Sequence, residues 1–196
     1  MVGITRENLI QFNNEGFFLA EGLLDSENDL GPIKTEYKEV LDKAVLDLQT
    51  RGIIGNNHME LPFEKRISQV LEESDGELNK YLDITLPQKD INSQTPMHCG
   101  PAVFNLIRNS KLLDAVEQFI GAEIYSNPTQ HVRIKPPAHY LAGTTRVLSE
   151  IDTTVWHQDA GTGTSDADDT NTLTVWISVT EASKENGCLM VAPKSH

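Results

Sequence analysis

The chain is 196 residues long, 38% hydrophobic and 23% charged, and its 16 basic against 29 acidic side chains give a formal net charge of −13. That length can enclose a sizeable apolar core, and that hydrophobic content argues against wholesale disorder. An excess of acid leaves no basic face for phosphate backbones, so nucleic acid is excluded as an expected partner, while the acidity itself speaks for solubility rather than for a substrate.

The opening residues, Met1 to Arg6, lack the basic-then-apolar pattern of a secretory signal, and no apolar run reaches the ~20 residues of a membrane span. Thr5 is placed to cap a short helix through Leu9 and Phe12 that Gly16 ends, because glycine tolerates the left-handed conformation at a helix terminus. Ile33, Tyr37, Val40, Leu41, Ala44, Val45 and Leu48 recur at three-to-four spacing, which predicts a longer helix stopping at Gly52. A third helix begins near Pro62 and carries Ile67, Val70 and Leu71. Ser110 is read as the cap of a fourth, with a stripe of Leu112, Leu113, Val116, Phe119 and Ile120 closed by Gly121. These stripes are read as core. Between them, 52–101 is less regular and holds His58 and His98, each read as a loop or core histidine rather than a ligand. No repeat, low-complexity tract or linker marks a second domain, so residues 1–196 are expected to form one unit, mainly helical over 1–121. Cys99 and Cys188 form no Cys-X-X-Cys pair, and Asn127-Pro128-Thr129 has the proline that forbids N-glycosylation. A soluble, cytoplasmic protein without a membrane partner is the expectation.

From Ala122 the period changes from helical to two. Residues 129–135 alternate, setting His131, Arg133 and Lys135 on one face and Val132 and Ile134 on the other. Turned inward, the polar face would offer cations to a dianionic ligand; turned outward, it is a solvated strand face. The most informative run follows, Thr154-Val155-Trp156-His157-Gln158-Asp159. On a strand, positions i and i+2 share a face about 7 Å apart, so His157 and Asp159 are placed to grip one metal ion. Imidazole plus carboxylate belongs to the 2-His-1-carboxylate set that holds Fe(II) with positions left open, although the same triplet also serves as a plain hydrogen-bonded pair. The acidic loop with Asp166, Asp168 and Asp169 lacks the glycine and distal glutamate of a calcium loop and reads as a solvated rim, and residues 138–153, with Arg146, read as a second lid-like loop. In the strand expected over 172–180, Leu173, Val175, Ile177 and Val179 form an apolar face and Thr174, Trp176 and Ser178 a mixed one; Trp176 is assigned to a pocket, with a core tryptophan as the alternative.

Beyond that strand come Asn186-Gly187 and an apolar run from Cys188 to Pro193-Lys194-Ser195-His196. A Trp-His-Gln-Asp motif, a Trp-bearing strand, an Asn-Gly turn and a strand ending in Pro-Gly-Ser/Thr-His resemble the phytanoyl-CoA dioxygenase family of non-haem iron, 2-oxoglutarate-dependent oxygenases. Lys194 stands where that family usually has glycine. The opening segment from Leu9 to Leu24 resembles the family's first helix and strand, and Ile134-Lys135-Pro136-Pro137 the stretch upstream of its metal motif. The resemblance implies an α+β fold: a double-stranded β-helix, a cupin-like jelly-roll, with N-terminal helices packed on it and its first strands in 122–196. It implies Fe(II) as cofactor and 2-oxoglutarate and O2 as co-substrates. His157 and Asp159 would be metal ligands, and His131, Gln158 and Trp176 would make cofactor or co-substrate contacts. The reaction implied is decarboxylation of 2-oxoglutarate to succinate coupled to hydroxylation of a small organic or acyl substrate. Asp159 favours hydroxylation, since related halogenating enzymes replace this carboxylate with a small residue. In the family the second histidine ligand and a 2-oxoglutarate-binding arginine lie beyond the Ser-His motif, so the chain is expected to be truncated, with an incomplete barrel. His196 is not the family's ligand. The alternative is a catalytically inactive fragment or degenerate member acting as a non-catalytic binding protein. A non-oxidative cupin would need more histidines on neighbouring strands than His131 supplies.

Overall fold

Helix α1 starts where threonine can satisfy the free N–H groups of a first turn. The Thr5 hydroxyl accepts the Asn8 N–H at 3.2 Å, and the Asn8 side chain accepts the Thr5 N–H at 3.0 Å. The helix runs Arg6–Glu15 until Gly16 turns left-handed at φ 83°. The computed structural model describes residues 3–86, 91–127, 130–135, 155–159 and 170–196. The two loops with Arg146 and with Asp166, Asp168 and Asp169 lie outside the described residues.

The centre of the molecule is α2, Gly31–Thr50. Its stripe of Ile33, Tyr37, Leu41, Ala44, Val45 and Leu48 is buried, Leu41 and Leu48 completely. It packs against α3 (Phe63–Glu73), α4 (Asn79–Leu82) and α5 (Pro101–Ile107). Ile67, Val70 and Leu71 come from α3 as expected, with Leu78, Leu82 and Val103 completing the cluster. Helix α4, of four residues, falls in the stretch read as irregular, and α5, of seven, begins at its end in residues assigned to no helix, because one or two turns carry too little periodicity to register. Among the described residues no helix is long and apolar enough to cross a membrane.

Two local readings change in α6, Ser110–Ile120. The cap is Asn109, not Ser110: its side-chain oxygen accepts the N–H groups of Lys111 and Leu112 at 2.9 and 3.4 Å, while its amide donates to Asp29 at 2.8 Å. Only Leu112 and Ala115 of this helix are buried. Phe119 instead stacks on Phe18 at 5.2 Å and meets Phe12 edge-on at 4.8 Å, which fastens α1, itself without a buried residue, to α6.

The expected jelly-roll is not the observed architecture: the described residues contain no β-strand. Alternation fixes which side chains share a face, but a strand also needs a neighbouring backbone for its N–H and C=O groups. Around 130–135 side chains take that place. Asp83 accepts the Val132 N–H at 3.1 Å and meets His131 Nδ1 at 2.9 Å, and Thr85 Oγ1 accepts the Gln130 N–H at 3.3 Å and donates to the Gln130 carbonyl. Val132 and Ile134, with Val179, then pack on the helical core. The apolar face of this segment therefore meets helices, not a second sheet.

Glu36 of α2 fastens the loop that leads into α5. Its carboxylate bonds His98 Nε2 and accepts the Ala102 N–H, both at 2.8 Å, and Gly100 passes so close that any side chain there would strike it. Burial alone would raise the Glu36 pKa, but the bonds from Ala102 and His98 outweigh it and hold the carboxyl below its ordinary 4.5. A depressed folded-state pKa contributes stability that is present above the unfolded value and lost as pH falls through the folded one. Urea titrations of Glu36→Gln should thus show lower stability than the wild type at neutral pH, with the gap closing as pH drops below about 4.5; a gap independent of pH would refute this role.

Candidate metal centre

His157 and Asp159 come together as their spacing suggests, though not on a pleated strand. The described residues 155–159 bend at Trp156, and His157 Nδ1 turns back onto the Val155 carbonyl at 2.8 Å. A carbonyl only accepts, so Nδ1 carries a proton, and whenever the ring holds no second one Nε2 presents a lone pair. That lone pair faces Asp159 Oδ1 at 3.2 Å. Two acceptors facing each other repel unless a proton or a cation lies between them. Ligands at about 2.1 Å on adjacent positions of one first-row ion stand about 3 Å apart, so the donor pair fits such an ion in both chemistry and spacing.

The second carboxylate oxygen is also fixed. Thr174 Oγ1 donates to Asp159 Oδ2 at 2.7 Å, tying the 172–180 segment to the metal motif. Hydrogen bonds of this kind, the Val155 carbonyl on the imidazole and the Thr174 hydroxyl on the carboxylate, orient ligands and set their basicity. Thr174 was missed as a functional candidate. Its place on the mixed face beside Trp176 was the only available signal, since nothing in the sequence says which residue 15 positions on meets Asp159.

The other candidates lie apart from this pair in their described contacts. His131 gives Nδ1 to Asp83, so Nε2 is the nitrogen left to meet a ligand. Gln158 Nε2 donates to the Ser195 carbonyl, clamping the chain's last residues onto the motif. Trp176 is 48% exposed. His58 and His98 each bond a glutamate, Glu73 at 2.6 Å and Glu36 at 2.8 Å. Among the described residues no group of three His, Cys, Asp or Glu side chains converges on a common ion site.

The closing segment resolves the Lys194 departure. Lys194 adopts φ 64°, the left-handed conformation that glycine takes without penalty, while its N–H donates to the Glu15 carbonyl at 2.9 Å. His196 lies over Gly16, where any Cβ would collide with the imidazole, so the end of the chain is seated on the C-terminus of α1.

A family model described as phytanoyl-CoA dioxygenase matches residues 12–196. The chain belongs to the phytanoyl-CoA dioxygenase family. Members of this family are in general Fe(II)- and 2-oxoglutarate-dependent oxygenases acting with O2 on small molecules. No curated protein and no solved structure gives a significant match. Within the family framework the Lys194 geometry has a direct consequence. Lys194→Gly should leave stability unchanged or raise it by up to about 1 kcal/mol, because relief of left-handed strain offsets the greater freedom of the unfolded chain. A urea midpoint that falls on substitution would refute the strain.

Proposed function

We propose that this chain is an Fe(II)/2-oxoglutarate-dependent dioxygenase that hydroxylates a small organic or acyl substrate. The observation that carries the reading is the His157–Asp159 pair, whose donor atoms face each other at 3.2 Å with their remaining polar atoms held by Val155 and Thr174. Family membership over residues 12–196 supports the same chemistry.

In this reading His157 and Asp159 are two protein ligands of a ferrous ion, which when bound supplies oxygen activation coupled to decarboxylation of 2-oxoglutarate. The chain's own residues bind and orient. His157 offers Nε2 because Val155 holds the proton at Nδ1. Asp159 keeps one oxygen toward the ion because Thr174 holds the other. Gln158 is a positioning residue that keeps Ser195 against the motif. His131, braced by Asp83, and the half-exposed indole of Trp176 are the proposed contacts to the co-substrate.

Succinate formation that requires both Fe(II) and 2-oxoglutarate tests this directly. It should fall below detection in Asp159→Ala and His157→Ala, and Fe(II)-independent turnover would sink the proposal. Thr174→Val should weaken binding of Co(II) or Mn(II), followed by absorbance or electron paramagnetic resonance, by about 10-fold or more without loss of helical circular dichroism. Unchanged affinity would remove Thr174 from the site.

A further inference from the structure

Helix α1 buries none of its own residues and carries no basic side chain in its last turn. Phe12 docks one side of it on Phe119. Its C-terminal end, where free carbonyls attract N–H donors and cations, is completed from far along the chain. The Lys194 N–H donates to the Glu15 carbonyl at 2.9 Å, and Lys194 Nζ lies 3.8 Å from Glu15 Oε1. At Gly16, with φ 83°, an added Cβ would stand 2.5 Å from His196 Nδ1, so the imidazole fills the space that a side chain there would need.

The residue between those two makes a different contact. The Ser195 carbonyl accepts from Gln158 Nε2, and Gln158 stands in the chain between His157 and Asp159. Lys194, Ser195 and His196 thus form a strap: its outer residues grip the end of α1, and its middle one grips the motif that carries the facing donor atoms. Three residues span at most about 7 Å between their outer Cα atoms, too little to absorb a shift at one end without passing it on. Lys194 keeps its left-handed φ of 64° inside this strap, a conformation that persists only where the surroundings hold it.

We propose that Gly16 and His196 are positioning residues of the candidate metal centre, acting through Ser195 and Gln158, so that the seating of α1 sets the affinity of the His157–Asp159 pair for its ion. The inference rests on the metal reading above and adds to it an element that touches neither ligand. Coupling between two sites is reciprocal: the factor that the seated strap contributes to ion affinity is returned by the bound ion as protection of the α1 terminus against opening. The single side-chain-to-backbone bond at Gln158 sets the scale at about five-fold.

Co(II) titration and amide hydrogen exchange on the full chain test it, with no turnover involved. H196A, G16A and Q158A should each bind Co(II) about five-fold more weakly than the wild type, with helical circular dichroism kept and the visible Co(II) bands unmoved. Shifted bands in H196A would make the imidazole a ligand and overturn its positioning role. Since G16A acts by colliding with that imidazole, the G16A/H196A double variant should bind no more weakly than H196A, and additive losses would overturn the route through Gly16. Bound Co(II) should slow exchange of the Gly16 and Lys194 amides by the same factor in the wild type and leave it unchanged in Q158A. A wild type that binds no Co(II) would sink the metal reading, and this inference with it. Co(II) held equally tightly by wild type and variants, or exchange at Gly16 indifferent to the ion, would overturn the strap alone.

Discussion

The carboxylate of Asp83 decides how the two parts of this chain meet. It lies where α4 ends, is buried, and accepts the N–H groups of Ile84 and Val132 while bracing His131; its own carbonyl accepts the His98 N–H at 2.9 Å. A buried carboxylate is tolerated only when donors surround it, and here they come from Ile84 beside the α4 terminus and from His131 and Val132. The side chain and the backbone carbonyl of this one residue together join the α4–α5 connection, the α4 terminus and the segment at 130–135. Ile134 and Val179 also pack on the helical core, and the Thr174 hydroxyl ties the segment that bears Val179 to Asp159.

The helical part owes its order to apolar area. Leu41, Leu48, Leu71, Leu78 and Leu82 are fully buried around α2, and burial at roughly 25 cal/mol per Å2 is the dominant favourable term in any such cluster. The part that carries the proposed chemistry is held differently, by side-chain-to-backbone bonds at Asp83, Thr85 and Gln158 and by the seating of the last residues on α1. Such bonds contribute about 1 kcal/mol each, so they give position more than stability. For a ligand pair that division is apt: Nε2 and Oδ1 have to hold a spacing near 3 Å while staying reachable, and both side chains are about half exposed.

Much of this was legible one residue at a time. The caps at Thr5 and Gly16, the stripes of α2 and α3, and the His-X-Asp pair are local patterns whose physics acts within a few residues, and family resemblance was readable for the same reason. The errors have a common source. Ser110 was taken for the cap that Asn109 provides because both side chains can accept an N–H, and only the position of Asp29 shows which one is recruited. The stripe of α6 was read as core, yet Phe119 serves to dock α1. Period-two alternation at 130–135 was read as a strand, whereas Asp83 and Thr85 took the backbone groups a ladder would have used.

By itself the sequence determined α1, α2, α3 and α6, the family, and the pairing of an imidazole with a carboxylate two positions apart, because each is encoded in spacing along the chain. Tertiary structure alone decided that the described segment at 130–135 docks on the helical part through side chains, that Thr174 holds Asp159, and that Lys194 takes the conformation a glycine would occupy. Those outcomes rest on which distant group arrives to accept or donate a hydrogen bond, and a linear pattern states what a residue can offer without stating what it meets.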